Sequence, residues 1–354
     1  MLLLYIHIPF CDSKCFYCSF NSYVDKFHLK SHYMEVLTRE LEHELQILKN
    51  NNQKLSTIFI GGGTPSSINY ASYAQMFKLL KGYINDTTEV TIEANPNSAT
   101  IDWLKAMKDY GVNRVSFGVQ SFNDTKLSFL GRSHNSKRAI KAIQDAQCIG
   151  FNSINCDIIY ACANDTKELI SSDLDMANKL GVEHISSYSL TLEAGTKFWT
   201  MKDVSIDDEE LSEFVINYLK SLGYHQYEIS NFAKNNKFES KHNKGYWEYK
   251  EYLGVGCGAV GRIGSNRYYS LSDIESYLRN PLHKEIEILE EKDMKIEKIL
   301  LGLRSNVGFD LSLLDVNNVE KAHYLEKLGK IKIENSKIYN KNYLLADEIA
   351  LYLS

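Results

Sequence analysis

The chain predicts an α/β fold built from parallel strand–helix units. Three observations carry that prediction. Apolar, β-branched runs recur at 2–10 (LLLYIHIPF), 56–62, 89–96, 114–121, 152–161 and 184–191. Amphipathic stretches with helical spacing lie between them, among them 28–48, 70–83 and 136–150. Strands alternating with helices read as βα units, whose right-handed crossovers give an open sheet or a barrel. In either layout chemistry collects at the carboxyl ends of the strands. The notable polar residues of this chain fall there, one strand after another.

Composition narrows the class. The 354 residues suffice for one large α/β unit and a smaller one. A net charge of −5 provides no basic field to draw the chain to nucleic acid or anionic lipid. No apolar run approaches the ~20 residues of a membrane-spanning helix, and the N-terminus lacks the layout of a signal peptide. Seven cysteines, an odd number with three of them clustered, argue for reduced cytoplasmic thiols over a secreted disulfide framework.

The first strand runs into Cys11, Cys15 and Cys18, with Phe20 two residues further on. Structural zinc wants four protein ligands, and a Cys15–Cys18 redox pair leaves Cys11 idle. A cubane 4Fe–4S cluster uses all three thiols and leaves one iron open to a ligand. The second strand ends in GGGTPS. There Thr64 or Ser66 caps a plain strand-to-helix turn, or bare backbone at Gly62 and Gly63 approaches a ligand. Glu93 stands in a core-like strand, where a charge needs a salt bridge or a ligand. The fourth unit carries Gln120 and Arg132, and the fifth carries Asp157. Beyond about residue 200 the rhythm changes. A helix is expected at 207–223, an aromatic and polar stretch follows, and 252–265 is glycine-rich loop or closely packed backbone. Residues 286–354 read as helices with a short hairpin.

CDSKCFYC resembles the CxxxCxxC signature of the radical S-adenosylmethionine (SAM) superfamily. The resemblance implies a partial, open (β/α)6 barrel over 1–231, a connector at 232–285 and a small helical or winged-helix-like domain at 286–354. It implies a 4Fe–4S cluster on Cys11, Cys15 and Cys18 whose open iron chelates SAM, with one-electron cleavage giving a 5′-deoxyadenosyl radical. Tyr17 would lie against the adenine and Glu93 would bond the ribose. Tyr5, Gly62, Gly63, Thr64, Gln120, Arg132 and Asp157 match further SAM-side positions.

YIHIPFC, GGGTPS, SFGVQSF, YEISNFA and ILLGLR resemble the group around oxygen-independent coproporphyrinogen III oxidase. The oxidases carry a further cysteine where this chain has Phe20, and an N-terminal segment before the cluster. Here Cys11 has only ten residues ahead of it. Both features resemble the heme chaperone subgroup, as does HNKGYW (242–247), which is similar to its HNxxYW motif. His242 is then the candidate heme residue, with Tyr246, Trp247, Tyr249 and Tyr252 as candidate walls. The resemblance implies a cytoplasmic protein, transiently peripheral at the membrane, that binds heme and passes it to respiratory hemoproteins. The alternative is radical decarboxylation of coproporphyrinogen III. DIIYACAND departs from the usual DLIYGLPxQT after the fifth strand, with Asp157 retained. No long apolar seam forces a dimer.

Overall fold

The computed structural model describes residues 2–50, 54–206 and 209–353. Its frame is six adjacent parallel strands: β1 Leu2–Ile8, β2 Leu55–Gly62, β3 Glu89–Ala94, β4 Arg114–Gln120, β5 Ser153–Tyr160 and β6 His184–Ser189. Each ends within a residue or two of its predicted run. The helices between them include Lys30–Asn50, Ile101–Asp109, Ser136–Ile149 and Lys167–Lys179. Alternate strand residues serve two layers. Leu4, Ile6 and Ile8 are fully buried in the same core as Val36, Leu37 and Leu41 of the outer helix. Tyr5 and His7 point the other way, onto a concave polar face with Phe59 and Glu93. Burial on both faces explains why these strands read as near-continuous apolar runs.

The sheet does not stop at six strands. β7 His225–Gln226 and β8 Asn231–Ala233 extend it antiparallel beyond β6. On the other flank β9 Tyr252–Val255 runs parallel to β1, followed by β10 Val260–Ile263, β11 Asn266–Ser270 and β12 Lys284–Ile288. The sheet of twelve strands stays open, with β12 at one edge and β7 at the other. The stretch read from sequence as a connector is therefore built into both flanks. Its glycine-rich run is closely packed backbone: a Cβ on Gly254 would stand 2.0 Å from the Val260 carbonyl oxygen.

Asp207 and Asp208, the first two residues of the helix expected at 207–223, lie outside the described residues; the helix seen is Glu209–Ser221. The C-terminal region has its own core around Leu303, Phe309, Ile331, Ile338 and Ile349. Helices Glu291–Leu303, Val316–Lys327 and Ala346–Leu353 surround a small sheet of β13 Phe309–Asp310, β14 Ile331–Glu334 and β15 Lys337–Asn340. The β14–β15 turn has positive φ at both Asn335 and Ser336, the geometry a tight hairpin wants. YEISNFA and ILLGLR join this region to the barrel, because Ile229 N donates to Arg304 O and Asn306 N to Tyr227 O.

Candidate cluster and cofactor site

The loop after β1 crosses the mouth of the barrel and is tied at several points. Tyr23 N donates to Pro9 O at 2.7 Å and Cys11 N to Tyr23 O at 3.0 Å, closing its base. Its middle is stitched to the loops after β4 and β6, with Phe16 N on Leu130 O at 3.1 Å and Phe198 N on Phe16 O at 2.9 Å. These ties hold the cysteines in place without using their side chains. Cys11, Cys15 and Cys18 are all partly exposed free thiols. Burial pushes the Cys11 and Cys18 thiols up, which favours them as thiols until a cation arrives. Two donors already face the sulfurs: Thr64 Oγ1 to Cys11 Sγ at 3.3 Å, and Arg132 Nη1 to Cys15 Sγ at 3.2 Å. Among the described residues no three His, Cys, Asp or Glu side chains converge on one ion.

The residues that the sequence resemblance places beside SAM gather on the concave face beside this loop. Gly62 N donates to Glu93 Oε2 at 3.0 Å. Burial, with Asp157 adding, pushes the Glu93 carboxyl up to about 8. Burial likewise pushes Asp157 up to about 6, against hydrogen bonds from Asn155 and Ser186. Gln120 holds a left-handed φ of 68° where the β4–β5 register slips. A non-glycine residue there is strained, a feature of backbone that aims a side chain at a site. Gln120 and Arg132 cross over Gly118, where a Cβ would stand 3.1 Å from Gln120 Nε2 and 3.3 Å from Arg132 Nη2. Arg132 donates from Nη2 to Gly118 O at 2.5 Å, while its Nε has no partner. Burial opposes its charge, but Tyr17 and Cys15 outweigh that and raise its pKa. Tyr17 and Tyr5 are both held well above the ordinary phenol range, by burial first.

Two features of the expected site meet neighbouring atoms of the chain. The bare faces of Gly62 and Gly63 are filled by the chain itself. A Cβ on Gly62 would meet the His7 ring at 2.4 Å, and one on Gly63 would meet the Ile8 and Phe10 carbonyl oxygens at 2.8 Å. These glycines let β1 and β2 close up below the cysteine loop. His242 is the second. It is 1% exposed, with Nδ1 bonded to Thr57 Oγ1 at 2.7 Å and Nε2 to Tyr246 OH at 3.0 Å. Burial pushes it down to about 3, and the Phe59 ring packs against it at a tilt of 31°. It keeps no free nitrogen for a ligand, and it braces Tyr246.

Tyr246 lines a cavity of about 580 Å³ that opens beside the cluster loop. Tyr5, Phe20, Tyr252 and Leu301 also form its walls, and Arg262, Arg267 and Glu297 its polar end. Sequence reasoning singled out the tyrosines but not the polar end. Its three residues lie on β10, β11 and the helix Glu291–Leu303, and no local pattern joins them.

The buried carboxyls predict a pH dependence for the chain without its ligands. Glu93 rises from an ordinary 4.5 to about 8. A folded-state pKa above the unfolded one contributes stability that is full below the unfolded value and lost as pH rises through the folded one. Urea stability should therefore fall between about pH 5 and pH 8, and Glu93→Gln should flatten that fall. Parallel slopes in parent and variant would assign the fall to other groups.

The class is clear from fold and site together. Residues 5–177 match the family model of the radical SAM superfamily. The heme chaperone HemW of Bacillus subtilis is 34% identical over 342 residues, covering 92% of this chain and 86% of that protein. HemW of Haemophilus influenzae is 41% identical over 270 residues, covering 74% and 70%. The coproporphyrinogen III oxidase HemN of Escherichia coli, a radical SAM enzyme, superposes with a TM-score of 0.83 at 23% identity, covering 99% of this chain and 89% of that one. That likeness establishes the fold. The chain belongs to the HemW family of radical SAM proteins, a membership that implies a 4Fe–4S cluster and SAM.

Proposed function

We propose that the chain is a heme chaperone, binding heme unaltered and passing it to hemoprotein acceptors. The observation that carries this reading is the match across 86% of the length of a relative named as one. On this reading Cys11, Cys15 and Cys18 hold three corners of the cluster. Glu93 takes the SAM ribose, Tyr17 lies along the adenine, and Tyr5, Thr64, Gln120, Arg132 and Asp157 complete the pocket, with Gly62 and Gly63 contributing backbone carbonyls alone. The residues fit the groups. Three thiols suit three corners of a cubane. Thr64 and Arg132 supply hydrogen bonds that strengthen when the sulfurs ionise. Arg132, whose Nε is unpartnered, and the strained Gln120 lie side by side over Gly118. The bound cluster would supply an open iron and one electron to SAM.

Heme fits the tyrosine-lined cavity, whose aromatic walls suit a flat apolar ring. Phe20, 64% exposed, stands at its lip in place of a further thiol. His242 serves heme through Tyr246, without contact. The C-terminal region closes one side with Leu300 and Leu301. The acceptors are respiratory hemoproteins, met transiently at the membrane surface. Among the described residues no helix is long and apolar enough to cross a membrane.

The test is anaerobic reconstitution with iron and sulfide, then titration with heme followed by visible absorbance. A second sample receives coproporphyrinogen III, SAM and a reductant, and its porphyrins are weighed. Heme retained with both propionates and no decarboxylated product is the expected result. Failure to take up heme, or decarboxylation of coproporphyrinogen III, would overturn the reading.

A further inference from the structure

The polar end of the cavity is already occupied by one of the chain's own carboxylates. Arg267 on β11 gives Nη2 to Glu297 Oε1 at 2.5 Å and Nη1 to Glu287 Oε2 at 3.2 Å. Tyr249 OH donates to Glu297 Oε2 at 2.6 Å. Glu297 thus bridges a guanidinium and a phenol, one oxygen on each. Arg262 supports the assembly from behind. Its guanidinium lies 3.9 Å from the Tyr249 ring centre and donates to the Gly264 and Tyr249 carbonyls. Arg262 is therefore spent on the backbone, whereas Arg267 and Tyr249 are spent on a side chain that can leave.

Glu297 rides on the helix Glu291–Leu303, which also brings Leu300 and Leu301 to the cavity wall. The Arg267–Glu297 pair is 20% and 28% exposed. Ion pairs in that range are screened and contribute modestly, so exchanging one carboxylate for another costs little. The planar fork of arginine reads a carboxylate wherever it comes from.

We infer that Arg267 and Tyr249 form a carboxylate-reading subsite of this cavity, with Glu297 as its internal occupant, displaced when a carboxylate-bearing tetrapyrrole binds. The inference rests on the heme reading and deepens it. The arriving propionate takes the place of Glu297 on Arg267 Nη2 and on the Tyr249 hydroxyl. Glu297 turns to solvent, and the helix Glu291–Leu303 loses its polar tie to the sheet.

The experiment titrates cluster-loaded parent, Glu297→Gln and Arg267→Gln proteins with heme and with heme dimethyl ester, which lacks the propionate charges. The parent should prefer heme. Glu297→Gln, with the competitor neutralised, should bind heme about tenfold more tightly, near 1.4 kcal/mol, and leave ester affinity unchanged. Arg267→Gln should lose the preference and bind heme and ester alike. Arg267→Lys keeps charge without the fork and should restore part of the preference. If the parent binds heme but the heme-to-ester ratio is the same in all four proteins, the subsite is overturned and the heme reading stands. If Glu297→Gln weakens heme and ester equally, Glu297 is only a brace and the inference fails. If the parent takes up neither ligand, the heme reading fails, and this inference with it.

Discussion

Cys18→Ala protein, reconstituted anaerobically with iron and sulfide, should retain almost none of the iron that the parent chain binds. The argument is one of ligand supply. Cluster assembly needs thiolates, and three is already one short of a full protein set. No other thiol can step in. Cys257 is fully buried, its Sγ bonded to the Ser272 carbonyl at 3.2 Å, and burial pushes it up to about 12. Cys156 is a core residue of β5. Cys162 is 2% exposed, buried in a cluster against which Phe16 and Tyr17 of the loop pack, so its sulfur is held in a core. Cys148 is exposed near the end of the helix Ser136–Ile149, which leads into the start of β5 and so lies at the opposite end of the barrel. Iron and sulfide analysis with visible absorbance reads the result. Heme uptake by the same variant should persist, because Cys18 is not in the cavity wall. Iron at parental levels would mean that some other group completes the site, and the three-thiol cluster would have to be abandoned.

What the sequence makes legible here is what its local chemistry determines. The six parallel strands show because each buries both faces and ends at a turn. The cysteines show because three ligands within eight residues need no folding to be recognised. β9 to β12 do not show. They are four or five residues long, and β9 pairs with β1 across some 250 positions, Tyr5 opposite Gly254. Periodicity carries no trace of such a pairing. His242 shows the same limit at a single residue. Its motif marks it, but Thr57, Phe59 and Tyr246 decide what its ring can do, and Thr57 and Phe59 come from a strand some 185 positions earlier. Gly62 and Gly63 were legible as necessary glycines. The reason for them was not, because the atoms that crowd them belong to β1 and the cysteine loop.

That crowding makes Gly62→Ala the most damaging single-methyl change expected at the site. Gly62 has φ +110°, outside the small left-handed well that other residues tolerate. Strain of that kind costs about 1–3 kcal/mol. The new methyl would also lie 2.4 Å from the His7 ring, and overpacking adds about 1–3 kcal/mol. His7 cannot swing away freely. Its Nε2–H donates to the Asn21 carbonyl at 2.8 Å, which leaves Nδ1 to accept the Tyr5 hydroxyl at 2.9 Å. Asn21 in turn ties the end of the cysteine loop to the Cys257 and Ser272 carbonyls. A displaced His7 therefore disturbs the cluster loop as well as the core. Gly264→Ala is the matched control, with φ +58° and nothing within 4 Å of the added methyl. It should cost only about 1–2 kcal/mol. Urea denaturation should place the Gly62→Ala loss at roughly 2–6 kcal/mol, the strain and overpacking terms taken together. His7→Ala in the Gly62→Ala background should recover part of it, because removing the ring relieves the clash and leaves only the backbone strain. Equal, small losses at both glycines with no recovery would show that His7 yields without cost, and that the Tyr5–His7–Asn21 chain does not fix the loop.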